Sequence, residues 1–355
     1  MGKKIKKLVL VSVLILCLII KGLAQSCLPE GIQFKTQSQI DSFPTNYPNC
    51  SEIEGFVVIN GNDIQNLQGL NAIKCIKGSL IIEMNYNLES FTGLNNLLNI
   101  FGDLLIRSNF SLINLQGLEN LFTVKGDVWF YNNSLRNFNG LTNLHSIGGS
   151  LTISQNYKLQ NVDAIAELTN IGENLGIMSN DSIISLQGFQ SLKMIGGYLD
   201  IHYNDEIKNL VGIDNIDSIG GNLSIYANDS LAFCSVGGIC RYIANPNGSI
   251  NIHDNTVGCN SKEEIKEDCD SLSIPENYSL QKWIISPNPV INKFTINLKN
   301  GDEARNVFIY NQLGCTVLII NQVNGPIDIS KLEKGLYLIE FAINGKLVRE
   351  QIVKL

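Results

Sequence analysis

One column of asparagines limits what this chain can fold into. Nine times between residues 59 and 255 an apolar residue is followed, three positions later, by Asn. The apolar residues are Ile59, Ile82, Ile106, Phe130, Ile153, Ile177, Ile201, Ile225 and Ile252. The asparagines are Asn62, Asn85, Asn109, Asn133, Asn156, Asn180, Asn204, Asn228 and Asn255. Successive marks lie 23 or 24 residues apart, with a final step of 27. Self-similarity at a fixed period is the signature of a repeat architecture and precedes every other argument.

Each mark sits in a unit G-x-Φ-x-Φ-x-x-N, where Φ is apolar. Alternating apolar residues over five positions describe a short strand with one buried face. Between marks runs L-x-x-L-x-G-L-x-x-L-x-x-I, as in Leu112, Leu115, Gly117, Leu118, Leu121 and Val124. Spacings of three, bounded by Gly and Asn, describe tight bends rather than long helix. Short strands at this period predict an all-β chain, a right-handed parallel β-solenoid of leucine-rich coils. Every coil buries its Leu and Ile against the coils above and below, and none is stable alone. At ~4.8 Å per coil, nine coils stack to about 43 Å. Aligned amides could in principle hold a glycan or a metal. The stronger expectation is a structural ladder, since stacked Asn side chains satisfy backbone groups that a bend leaves unpaired. The acidic neighbours in Asn180-Asp181, Asn204-Asp205 and Asn228-Asp229 could form a calcium ladder, but turn chemistry is the expected role.

These repeat residues resemble the receptor L-domain family, the leucine-rich β-helix of growth-factor-type receptors. They resemble more closely bacterial surface proteins with coils of the form L-x-G-L-x-x-L-x-x-I-G-G-x-L-x-I-x-x-N. Leu141-Thr142-Asn143-Leu144 running into Ile147-Gly148-Gly149-Ser150-Leu151-Thr152-Ile153 is a near copy. The likeness spans roughly residues 27–269. It implies a β-helical fold and a binding role without naming a ligand.

The N-terminus carries a basic segment, then an apolar run from Leu8 to Ile20, then Gly22-Leu23-Ala24. That order is a secretory signal peptide over residues 1–24, cleaved at Ala24/Gln25. The run falls short of the ~18–20 residues that span a bilayer. Ala24-Gln25-Ser26 before Cys27 is a poor lipoprotein cleavage site. Of the 26 basic and 33 acidic residues, the stretch 25–281 holds 12 and 27, a net of −15. Such a surface repels nucleic acid and anionic membrane, so nucleic acid is excluded as a partner.

An exported chain permits disulfides. Cys27 and Cys50 bracket the stretch before the first regular coil, while Cys234, Cys240, Cys259 and Cys269 cluster where the repeat breaks down. A solenoid's ends expose its core, so stapled caps are expected. The favoured bonds are Cys27–Cys50, Cys234–Cys259 and Cys240–Cys269, although four cysteines allow three pairings. Zinc is the rival for the cluster, but there is no C-x-x-C pair and no adjacent His. Cys75 and Cys315 are left over.

Residues 25–270 therefore form the solenoid and 271–282 a polar linker. From Trp283 the pattern changes to Phe294-Thr295-Ile296-Asn297-Leu298, then Val307-Phe308-Ile309-Tyr310, then Gly335-Leu336-Tyr337-Leu338-Ile339. Alternating strands joined by N-G and L-G turns predict a small antiparallel Ig-like β-sandwich over 283–355. The order S-P-N-P from Ser286, Φ-Y-N-x-L-G from Ile309, G-L-Y-L-I from Gly335 and G-K at Gly345 resembles the C-terminal sorting domain of the type IX secretion system. Cys315 departs from that pattern. The resemblance implies passage through the outer membrane of a Gram-negative bacterium by the type IX machinery. Removal of the domain then leaves the passenger released or attached to surface lipopolysaccharide.

Chemistry is scarce. No H-E-x-x-H, G-x-S-x-G or P-loop occurs. His202 and His253 occupy one coil position with Tyr226 between them, about 10 Å apart and too far to share a metal. No cofactor or metal is expected, and no catalytic residue stands out. The outward strand positions carry a different message. Val58, Ile81, Leu105 and Trp129 precede the inward column, and Arg107 and Tyr131 follow it, forming an apolar stripe where later coils are polar. Such a stripe is either an interface for a protein or glycan or a surface covered by the segment Cys27–Asn49. The expected function is a non-enzymatic, exported or surface-bound binding or adhesion protein using this face. The alternatives are a carbohydrate-active accessory or degenerate β-helix enzyme, and a structural surface-coat protein.

Overall fold

The computed structural model describes residues 25–272, 283–287, 290–298, 304–310, 316–323, 325–343 and 346–355. The expected signal cleavage at Ala24/Gln25, most of the linker and Cys315 lie outside these residues. The chain divides into two compact units that part after Leu272.

The first unit is built from two parallel sheets, one of nine strands and one of ten. Each coil but the last contributes a short strand to the nine-stranded sheet, bends, and contributes a strand of three or four residues to the ten-stranded sheet; the last adds only Ile250–His253 to the larger sheet. Its return passes through Leu-rich bends, three of which close as single 3-10 turns at Gln68–Leu70, Asp163–Ile165 and Gln187–Phe189. Inward residues of every coil merge into one core running from Phe34 to Ile265. The strand Val128–Tyr131 shows the alternation that drives this, with Val128 and Phe130 buried and Trp129 and Tyr131 exposed. Register is strict: Leu104, Val128 and Leu151 pair in turn, as do Ile106, Phe130 and Ile153.

The asparagine ladder stitches consecutive coils. Asn156 is fully buried. Its Nδ2 donates to the Phe130 carbonyl of the preceding coil (2.8 Å) and to the Ser154 carbonyl (3.0 Å). Its Oδ1 accepts the backbone N–H of Asn133 at 3.1 Å. The same arrangement repeats from Asn85 to Asn255, and the Asn260 side chain ends it by accepting the Asn255 N–H. The residue before each of these asparagines is left-handed, from Met84 through Asp254, with φ between 49° and 56° and no glycine among them. A left-handed residue with a side chain costs about 1 kcal/mol or more, so the amide bonds must hold the corner.

Asn62 does not join this ladder, which corrects the nine-member column. It is exposed, and the Asn85 Oδ1 accepts its bond from the Gly61 N–H instead. The Phe34 carbonyl accepts the Asn60 N–H. A Cβ at Gly61 would also lie 2.1 Å from the Lys35 oxygen, so no side chain fits at the ladder position.

A second ladder runs along the bend between the two sheets. Ser79 accepts the Asp103 N–H, Asp103 the Asp127 N–H, Asp127 the Ser150 N–H and Ser150 the Asn174 N–H, at 2.7–3.3 Å. Asn174 accepts the Tyr198 N–H at 2.9 Å. Beside it the coils approach so closely that a Cβ on Gly172 or Gly196 would sit 2.0 Å from a carbonyl of the coil before.

The segment Cys27–Asn49 extends the solenoid instead of folding over the outward stripe. Ile32–Phe34 is the tenth strand, with Gln33 in register with Val58. The helix Gln37–Asn46, capped by Thr36 and Gln39, lowers Ile40 and Phe43 into the open core. Without this strand and helix the inward Leu and Ile of the next coil would face water. Disulfides join Cys27 to Cys50, Cys234 to Cys259 and Cys240 to Cys269, with Cα separations of 5.5–5.7 Å. The last of these ties the helix Gly237–Ala244 to the helix Lys262–Leu272 at the far end. Cys75 carries no disulfide.

The second unit pairs a three-stranded and a four-stranded antiparallel sheet around Phe294, Val307, Ile309, Ile339, Phe341 and Ile352. These are small antiparallel sheets of the kind the alternating pattern predicts.

Replacing Asn156 by Ala removes its bonds to the Phe130 and Ser154 carbonyls and takes the acceptor from the Asn133 amide in a dry interior. The expected cost is about 3 kcal/mol. Asn62→Ala should change stability by less than about 0.5 kcal/mol. Guanidinium unfolding followed by far-ultraviolet circular dichroism distinguishes the two, and equal effects would remove the ladder's structural role.

Candidate binding face

The outer face of the ten-stranded sheet inherits its layout from strand register. Because equivalent residues pair coil to coil, outward side chains line up in columns about 4.8 Å per step. One column reads Gln33, Val58, Ile81, Leu105, Trp129, Thr152, Gly176, Asp200, Ser224 and Asn251. Val58, Ile81 and Leu105 are half-buried by their neighbours, while Trp129 is 45% exposed. Among the described residues no segment covers them.

The parallel column begins with a polar network. Asn60 Nδ2 donates to Glu83 Oε1 at 3.2 Å, and the Arg107 guanidinium donates to the other Glu83 oxygen. Glu83 is largely covered and Arg107 half exposed, so the pair presents a cation edge beside Tyr131. Trp129 and Tyr131 stand two residues apart on one strand and therefore on one face. The six residues picked out by the outward pattern thus fall on four adjacent strands, Val58 to Trp129 in one row and Arg107 and Tyr131 in the other.

The later coils hold a cluster that motif searching misses. His202, Tyr226 and His253 stack ring on ring, with centroids 4.6 and 5.0 Å apart and planes within 16°. Tyr203 meets His202 and Tyr226 edge-on. The Asp200 carboxylate lies 3.5 Å from His202 Nε2. Burial, the Asp200 charge and Tyr203 push the Tyr226 hydroxyl above its ordinary 10.0. The sequence places Tyr226 between the two histidines but gives it no role beyond separating them. The signal in the sequence is the shared coil position. Since the rings spend their faces on one another, this stack offers edges rather than a platform.

Asp181, Asp205 and Asp229 are exposed on successive coils. Burial and then the charges of Asp229, Asp181 and Glu206 raise the Asp205 carboxyl. Among the described residues no three His, Cys, Asp or Glu side chains converge as a metal site. Apolar exposure also reaches the other sheet: Phe122 stacks on His145 at 5.3 Å and, like Phe101, is exposed. At the ladder corner Tyr86 stacks on Phe110 at 5.6 Å. The outward-stripe pattern registers neither pair, because neither lies in a strand of the ten-stranded sheet.

Two family models match the chain. Residues 285–354 match the secretion system C-terminal sorting domain, and residues 49–121 match the Receptor L domain. No curated protein matches. The sorting-domain match indicates export by the type IX route to the cell surface or the outside of a Gram-negative bacterium. The Receptor L match covers the coils that carry Val58, Ile81 and Leu105, and it fits a surface binding role.

Tyr226 gives the aromatic stack a pH signature. Its folded-state value lies above the unfolded one, so its contribution is complete at neutral pH and fades as pH rises past 10 through the raised value. Tyr226→Phe should lose less stability than the parent between about pH 8 and about pH 11, measured by urea unfolding. An identical decline in both chains would argue against a shifted tyrosine.

Proposed function

We propose that this is an exported, non-enzymatic binding protein that presents coils 58–131 of its ten-stranded sheet to a protein or glycan. The observation that carries this reading is the outward row Val58, Ile81, Leu105 and Trp129, in register and uncovered among the described residues. A rigid sheet pays little ordering entropy on binding, and a half-exposed Trp beside a Tyr and an Arg supplies the residue types that dominate hot spots. The binding role also draws support from the Receptor L match over the same coils. Against the enzymatic alternative stands the placement of acids. Asp181, Asp205 and Asp229 follow one another along a ridge, whereas hydrolytic carboxylates must face each other across a substrate.

The test compares the exported chain with a Leu105→Ala, Trp129→Ala variant on a glycan and host-protein array. Loss of two central anchors should weaken a genuine ligand by about 30-fold or more, the equivalent of about 2 kcal/mol. Undiminished binding by a variant of unchanged melting temperature would move the site off this face. Absence of any ligand, with self-assembly of the exported chain, would favour a coat protein.

A further inference from the structure

The outward face of coils 58–131 is complementary to itself. Val58, Ile81, Leu105 and Trp129 form one column, and Asn60, Glu83, Arg107 and Tyr131 the column beside it. The ten strands of this sheet hold one Lys or Arg, which is Arg107, and two acids, Glu83 and Asp200. Arg107 bonds Glu83 through Nε, and among the described residues its two terminal nitrogens have no acceptor. The Glu83 carboxylate, with about four acceptor sites, takes one bond from Arg107 and one from Asn60. Both groups therefore keep bonding capacity directed away from their own chain.

A two-fold axis along the strands, midway between those of Ile81 and Leu105, turns this face onto a second copy with the coil order reversed. Strand directions are kept, as in aligned sheet packing. Trp129 then meets Val58, the largest side chain of the column over the smallest, and Ile81 meets Leu105. In the neighbouring column Arg107 meets Glu83, and the Tyr131 hydroxyl meets the Asn60 amide. Each contact occurs twice, as an isologous interface requires. Other registers fail. An axis through the strand of Glu83, or through that of Arg107, opposes like charges. An axis one coil later sets Ile81 on Thr152 and Glu83 on Ser154. One coil earlier, Trp129 passes beyond the first strand, Ile32–Phe34. The complementary register also leaves Asp200 outside the contact.

We infer that this face binds a second copy of the chain about a two-fold axis, with Glu83 and Arg107 exchanged across the contact. The inference rests on the reading of the Val58–Trp129 row as a binding face and names its partner. A two-fold contact closes at two copies, unlike the open array of a coat. The row spans about 14 Å along the solenoid, a small patch beside the ~800 Å² per partner of a standard interface. Association in solution is therefore weak, and many copies on one surface strengthen it by avidity.

Sedimentation velocity of the exported chain from about 1 to about 300 μM tests this, since a weak dimer forms within that range. The parent should pass from monomer to dimer. Glu83→Arg and Arg107→Glu should each weaken dimerisation at least about tenfold, because like charges then meet twice. An equimolar mixture of these two variants should recover a 1:1 complex, as every crossed contact again joins a cation to an anion. Misfolded variants could not produce that recovery. A parent that stays monomeric, a mixture that does not associate, or full dimerisation by the Leu105→Ala, Trp129→Ala variant overturns the inference. The glycan and host-protein array separates this failure from that of the wider reading. A ligand lost by the Leu105→Ala, Trp129→Ala variant, beside a monomeric parent, keeps the binding face and removes only the second copy.

Discussion

The side-chain amide of one asparagine per coil is the interaction on which the solenoid depends. An amide carries an acceptor and two donors, and in the ladder all are used, within the coil and between coils. Asn156 reaches back to the Phe130 carbonyl and takes the amide proton of Asn133, so one residue holds the preceding coil on both sides of its bend. Buried and fully partnered, it is favourable; buried and unpartnered, it would be costly. That asymmetry makes the ladder specific as well as stabilising. A slip of one residue would strand every amide, and it would turn every inward Ile to solvent. The left-handed residue before each asparagine is the local strain these bonds offset.

Strict register has a functional consequence. Because Leu105 must lie beside Trp129 and Ile81, any outward residue becomes part of a row rather than an isolated point. Apolar outward residues in the early coils thus merge into one continuous stripe, and His202, Tyr226 and His253 are forced into ring contact. The same geometry sets the equivalent acids Asp181, Asp205 and Asp229 in a line, close enough that their charges add to burial in raising the Asp205 carboxyl. The ends need separate solutions. The helix Gln37–Asn46 and the disulfide Cys27–Cys50 close one, and the helices joined by Cys240–Cys269 support the other.

Much of this was legible in the chain itself, because stacking imposes a period and the period is written in residue types. Inward Ile and Leu recur every coil since each must meet its copy above and below, and eight of the nine counted asparagines lie in the ladder. Asn62 escaped because the count of three residues holds while the backbone path does not. Gly61 occupies the bonding position, where the Lys35 carbonyl leaves no room for a side chain. The second ladder was illegible for another reason. Ser, Asp and Asn all accept an amide proton, so the chemistry repeats while the letters change.

The sequence by itself determined the coil period, the inward faces, the cysteines available for the caps and the export signal, for these depend on local patterns that must recur or occur in a set order. Only the tertiary structure decided which outward residues remain uncovered among the described residues and how the first coil closes. Cys27–Asn49 had enough length and apolar content either to cover the stripe or to extend the stack. Pairing of Ile32–Phe34 with Val57–Ile59 satisfies the edge amides and buries Phe34, Ile40 and Phe43 together, and a cover over the stripe would have left both undone.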